Sequence, residues 1–146
     1  LGLLSFIIFS SPFIALEKPN MKDRANNIAI RLIVLKKDER TSAGIYVNFF
    51  MGASDNEVRV RVDNGEWEKM RFMEEYDPAY LVDLYQWDTA EELLEGRRPS
   101  NPQKSTHLWR ANIPTALAPG NHVIEVEATD MFGNKHTGTK NYLIVE

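Results

Sequence analysis

The stretch Glu57–Met70, "EVRVRVDNGEWEKM", decides the fold. Val58, Val60 and Val62 alternate with Arg59 and Arg61, so this strand turns one face to a core and the other to water. Asn64-Gly65 follows, two residues that tolerate positive φ, and the chain returns through Trp67. The pattern predicts a β-hairpin.

Outward from the hairpin, the same period of two recurs. Upstream, "GIYVNFF" places Ile45, Val47 and Phe49 on one face, and "IAIRLIVLKK" places Ile28, Ile30, Leu32 and Val34 together, with Arg31 opposite. Downstream, "STHLWRANIP" aligns Trp109 with Ala111 and Ile113, and "NHVIEVEATD" aligns His122 with Ile124, Val126 and Ala128. A turn at "DMFGNK" leads to a last strand through Tyr142 and Ile144. Short strands separated by Gly, Pro and Asn turns, without a βαβ rhythm, predict a mainly all-β fold of about seven strands. The expected architecture is an immunoglobulin- or fibronectin-like two-sheet β-sandwich over residues 27–146.

One segment breaks the rhythm. In "YDPAYLVDLYQ", Asp77 precedes a proline at the first helical position, and Tyr80/Leu84 and Leu81/Tyr85 pair at helical spacing. In "DTAEELLEGRRP", Asp88 stands as a cap with Glu91 three residues on, Gly96 suits a left-handed end and Pro99 stops continuation. Two short helices are therefore expected within an insertion at about residues 72–104. Insertions of that length are usually functional or docked on something.

The first sixteen residues, "LGLLSFIIFSSPFIAL", are largely apolar and shorter than the roughly 20 residues of a bilayer span. Residues 1–26 read as an apolar leader and linker, with a truncated signal peptide as the first expectation and a strand pair interrupted at Pro12, or read-through upstream of Met21, beside it. Membrane contact is expected only through that leader, if it is retained. The 146 residues make one domain, carry Lys+Arg 17 against Asp+Glu 21, and contain no cysteine. No basic stretch points to nucleic acid, and no thiolate site or disulfide exists.

Gly120-Asn121-His122 has two readings: a loop in which the asparagine binds a metal and the histidine meets a phosphate, or a bend entering a strand. A dimetal phosphoesterase centre also needs Asp-x-His, Gly-Asp-x-x-Asp and Gly-His-x-His, and the sequence has none of them. His107, His122 and His136 lie too far apart in sequence to preset two ligands on one strand or helix. His122 is therefore read as a corner residue and Trp109 as a core anchor. Neither a catalytic residue nor a metal or other cofactor is assigned to this chain.

Taken together, the hairpin with its following Met70, then Asp77-Pro78-x-Tyr80, then His107-Leu108-Trp109-Arg110, then Leu117-x-Pro119-Gly120-x-His122 resemble the C-terminal domain of bacterial calcineurin-like phosphoesterases. The likeness runs from about Ile28 to Val145. It implies a non-catalytic accessory domain, periplasmic or secreted, whose partner is a metallophosphoesterase catalytic domain that this chain lacks. The parent family would be metal-dependent phosphoric ester hydrolases. Asp77, Tyr80, Leu84, Tyr85 and Trp87, with His107 and Arg110 at the edge, are the expected contact surface. Against this stands a free-standing extracellular carbohydrate- or protein-binding module, in which Tyr80, Tyr85 and Trp87 stack on a ligand. An enzyme using the three histidines and a metal is the third alternative.

Overall fold

The structure, a computed structural model, describes Leu4–Phe9 and residues 33–146. Two sheets face each other. One orders the strands β1 (Leu4–Phe9), β3 (Gly44–Phe49), β7 (Lys104–Asn112) and β6 (Arg71–Tyr76), all antiparallel. The other orders β2 (Ile33–Lys36), β9 (Lys135–Val145), β8 (Gly120–Thr129), β4 (Val58–Val62) and β5 (Glu68–Lys69), with β2 parallel to β9. One helix, α1 (Pro78–Asp88), joins β6 to the loop before β7. This is the expected β-sandwich.

The core fills the space between the sheets. Ile45, Val47 and Phe49 from β3 and Trp109 from β7 meet Val58 and Val60 from β4, Ile124, Val126 and Ala128 from β8, and Tyr142 and Ile144 from β9. Trp109 is almost wholly buried, with Phe72 edge-on to its ring at 5.3 Å and Phe49 tilted at 6.3 Å. Met70 is buried where the chain leaves β5 and enters β6 in the opposite sheet, and its N–H donates to Val58 O at 2.8 Å. The methionine after the hairpin is thus a sheet-crossing residue.

The structure corrects four sequence-based expectations. In the hairpin, Asp63 and Asn64 carry the positive φ values (50° and 59°), and Gly65 N–H donates to Val62 O, so the central pair sits one residue earlier than Asn64-Gly65. Asp and Asn bear that conformation at modest cost, and the Asp63 carboxylate gains two donors by it, the His122 ring and the Val123 backbone N–H. In β2, Leu35 faces the core and Val34 is 52% exposed, the opposite phase to the alternation read from sequence. Ile33 and Leu35 are as apolar as Leu32 and Val34, so hydrophobicity alone cannot choose the face; Ile28, Ile30, Arg31 and Leu32 lie outside the described residues.

The second helix is absent. Asp88 closes α1 and gives both carboxylate oxygens to Arg98, at 2.6 and 2.7 Å, so it caps nothing. Leu93 is 98% exposed, which leaves a helix there without an apolar face to bury. Gly96 does take a positive φ of 98°, in a loop. The first part of the expected insertion, Arg71–Tyr76, is instead the edge strand β6, whose residues are mostly exposed and charged. Leu4–Phe9 likewise joins the sheet beside β3, while most of the leader lies outside the described residues.

Candidate functional site

Two places gather polar side chains. The first is the corner where the chain enters β8. His122 donates from Nδ1 to Asp63 Oδ2 at 2.5 Å and from Nε2 to Ala118 O at 2.8 Å. Both partners accept, an arrangement that favours the doubly protonated ring, and the bond to the Asp63 carboxylate raises its pKa above the ordinary histidine value. The same bond, with one from Val123 N–H, lowers the pKa of Asp63. Tyr142 packs against the imidazole at 5.3 Å and donates its hydroxyl to Pro114 O. The histidine of "GNH" is a strut between the β4–β5 turn, the chain before β8 and β9.

The other two histidines are engaged elsewhere. His107 Nδ1 donates to Gly52 O at 2.8 Å, and His136 Nε2 donates to Asp130 Oδ2 at 3.0 Å. Asp130 also accepts from Phe132 N, Asn134 N and Asn134 Nδ2, and this set, led by His136, holds its carboxyl far below the usual carboxylate range. Among the described residues no group of three or more His, Asp or Glu side chains is placed to hold a metal ion.

The second place is the outer face of the four-stranded sheet. Leu108 on β7 and Leu84 on α1 are buried, yet neither belongs to the cluster between the sheets. Asp77 fixes the start of α1: its Oδ1 accepts from Ala79 N at 2.9 Å, and its Oδ2 accepts from Asn48 Nδ2 at 2.8 Å. Asn48 is only 6% exposed, and its Oδ1 is buried without a hydrogen-bond partner. Beside this junction opens a cleft of about 440 Å3, its described lining including Asn48, Asp77, Tyr80, Asp83, Ser100, Asn101, Gln103 and Ser105.

The expected contact residues divide between these surroundings. Asp77 and Tyr80 line the cleft, and the Tyr80 hydroxyl donates to Ser100 O at 2.8 Å. Leu84 is buried, Trp87 is half-buried and Tyr85 is 44% exposed. Arg110 lies over the Tyr46 ring and donates to its hydroxyl, on β7 and β3. Sequence reasoning missed Asn48, because an asparagine on the outward face of a strand reads as solvated. Its position opposite a helix cap separated by 29 residues leaves no local signal.

Compared with known proteins, the chain matches a family model described as the C terminal of Calcineurin-like phosphoesterase over residues 18–136. No curated protein and no solved structure matches it.

Proposed function

Because the chain belongs to the family of C-terminal domains of calcineurin-like phosphoesterases, we propose that it is a non-catalytic accessory domain that packs beside a metal-dependent phosphoesterase domain. The match to a C-terminal, rather than a catalytic, family carries this reading. It is supported by the histidines: each is held by a different part of the fold, His122 by Asp63, His107 by Gly52 and His136 by Asp130. In His122 both ring nitrogens are committed, so a catalytic role for it would first have to break one of those bonds. The contact face we assign is the α1 side, where Tyr85 offers exposed aromatic area and Trp87 and Arg110 offer half-buried edges; His107, expected at this edge, instead shares the inward face of β7 with Trp109 and bonds Gly52. Aromatic and arginine side chains of this kind are the usual anchors of an interface.

Two measurements test the proposal. The purified chain should not hydrolyse phosphate mono- or diesters when manganese, iron or zinc is supplied; turnover that stays with the chain through repurification overturns the non-catalytic reading. A catalytic domain of the same family should bind the chain in calorimetry, and Tyr85→Ser should weaken that binding by about tenfold, the effect of losing a moderate contact. Absence of binding to such a domain overturns the packing role.

A further inference from the structure

We infer that Arg71 and Arg110, neighbours on the outer face of the four-stranded sheet, form a socket for a carboxylate side chain of the partner catalytic domain, which deepens the accessory role and rests on it. Tyr46 on β3, Arg110 on β7 and Arg71 on β6 stand directly opposite one another across three adjacent strands, so their side chains leave the sheet on one face. Like charges directly opposite each other destabilise a sheet. No acid offsets these two: among the described residues neither arginine has a carboxylate partner, whereas Arg59, Arg61 and Arg98 are paired with Glu127, Glu125 and Asp88. The chain carries a net charge of -4, so carboxylates are not scarce in it. The row is left cationic within an acidic protein.

Arg110 is held in place for such a ligand. Its Nε donates to the Tyr46 hydroxyl at 3.1 Å, and its guanidinium carbon lies 5.7 Å from the centre of the Tyr46 ring. Gly44 leaves the room it occupies, because a Cβ there would come within 2.9 Å of Nε and 3.3 Å of Nη2. The guanidinium therefore leans toward β3, away from Arg71 on the other side of β7, and its terminal nitrogens remain for a second partner. Arg71 is exposed on the edge strand β6, where its long side chain can close over the same group. A carboxylate accepts two parallel bonds from one guanidinium and keeps lone pairs for another, and its charge removes the repulsion of the bare pair. A guanidinium fixed beforehand loses little freedom on binding. The socket adjoins the contact face assigned to α1: Asn48, bonded to Asp77 at the start of the helix, is two residues along β3 from Tyr46 and on the same side of the strand.

Calorimetry of the whole chain with a catalytic domain of the same family tests the socket. Arg71→Gln, at an exposed position, should leave the unfolding midpoint unchanged and weaken binding by about tenfold, and Arg110→Gln should weaken it at least as much. In both variants affinity should fall less steeply with added salt than in the unaltered chain, since a charged contact has been lost. Binding that neither variant alters, in strength or in salt dependence, overturns the inference and leaves the accessory role standing; no binding by the unaltered chain overturns both. Inorganic phosphate is the control for a small-anion site. Saturable micromolar binding of phosphate to the chain alone, abolished by Arg71→Gln, would give the pair to a free anion and overturn the protein contact.

Discussion

His122 and Asp63 each hold the other in its charged form, and the consequence for stability has a definite sign. The histidine's pKa is raised above 6.5 in the fold, so its contribution is complete below that value and is lost as pH climbs through the folded pKa. Asp63 is lowered from 3.8, so its contribution is present above that value and is lost as pH falls through the folded pKa. Denaturant midpoints should therefore be highest for this pair between about pH 4 and 6.5, and His122→Gln should flatten the decline on the alkaline side. Urea titrations across pH check it; an unchanged alkaline limb in the variant would show that the decline comes from elsewhere. Packing gives two further expectations. Trp109→Ala should cost about 3–5 kcal/mol, a large part of the roughly 5–15 kcal/mol that a domain has. Gly52→Ala should cost about 1–3 kcal/mol, because a Cβ there would sit 2.6 Å from the Trp109 ring and 2.7 Å from that of Phe49, both fixed in the core. Thermal unfolding of the two variants measures both. Trp109 and His122 were legible in the sequence because each keeps phase with apolar neighbours along a strand. The acid facing His122 was not, since the pairing spans 59 residues and depends on a turn register that Asp63 itself shifts.

At the scale of elements, α1 shows what a cap does when it also bonds outside its helix. Asp77→Ala removes the acceptor for Ala79 N and at the same time leaves Asn48 Nδ2 unpaired beside an Oδ1 that already lacks a partner. The expected loss is about 2–3 kcal/mol, above the roughly 1 kcal/mol of a simple cap. Amide exchange should locate the loosening in α1 while β8 and β9 stay protected. A loss confined to simple-cap size would mean that water takes over at Asn48. Local chemistry made this helix readable: Asp77, Pro78 and the Tyr80/Leu84 spacing all act within one turn. The same kind of signal failed at Asp88 because a distant guanidinium, Arg98, outbids the backbone for its carboxylate. The strand β6 escaped notice for the opposite reason. Its sequence, "RFMEEY", is charged and exposed, and pairing with β7 together with Phe72 on Trp109 makes it a strand.

Across the whole molecule, the apolar surface is uneven. Phe50 and Met51 follow β3, and Met131 and Phe132, 75% and 71% exposed, project from the β8–β9 turn at the same end, where Phe49 meets His136. The turn that carries the latter pair is held rigid by the four bonds to Asp130. Replacing Met131 and Phe132 together by serine should leave the unfolding midpoint within about 0.5 kcal/mol while lowering self-association in light scattering. A fall in stability instead would show that these side chains pack after all. The two-sheet plan was readable because every core strand buries alternate residues. Which strands are neighbours was not, because β2 and β9 pair across more than a hundred residues. That pairing has a mechanical consequence. Ile33 lies opposite Tyr142 and Lys36 opposite Val145 in parallel register, so tension entering before β2 and leaving after β9 pulls the two strands past each other along their length. Their bridging hydrogen bonds then bear the load together instead of opening one after another like a zip. In a single-molecule stretching experiment the domain should resist as a clamp and yield in one step, and a proline at Leu143, which like Val145 turns its backbone toward β2, should turn that step into a low-force, gradual extension.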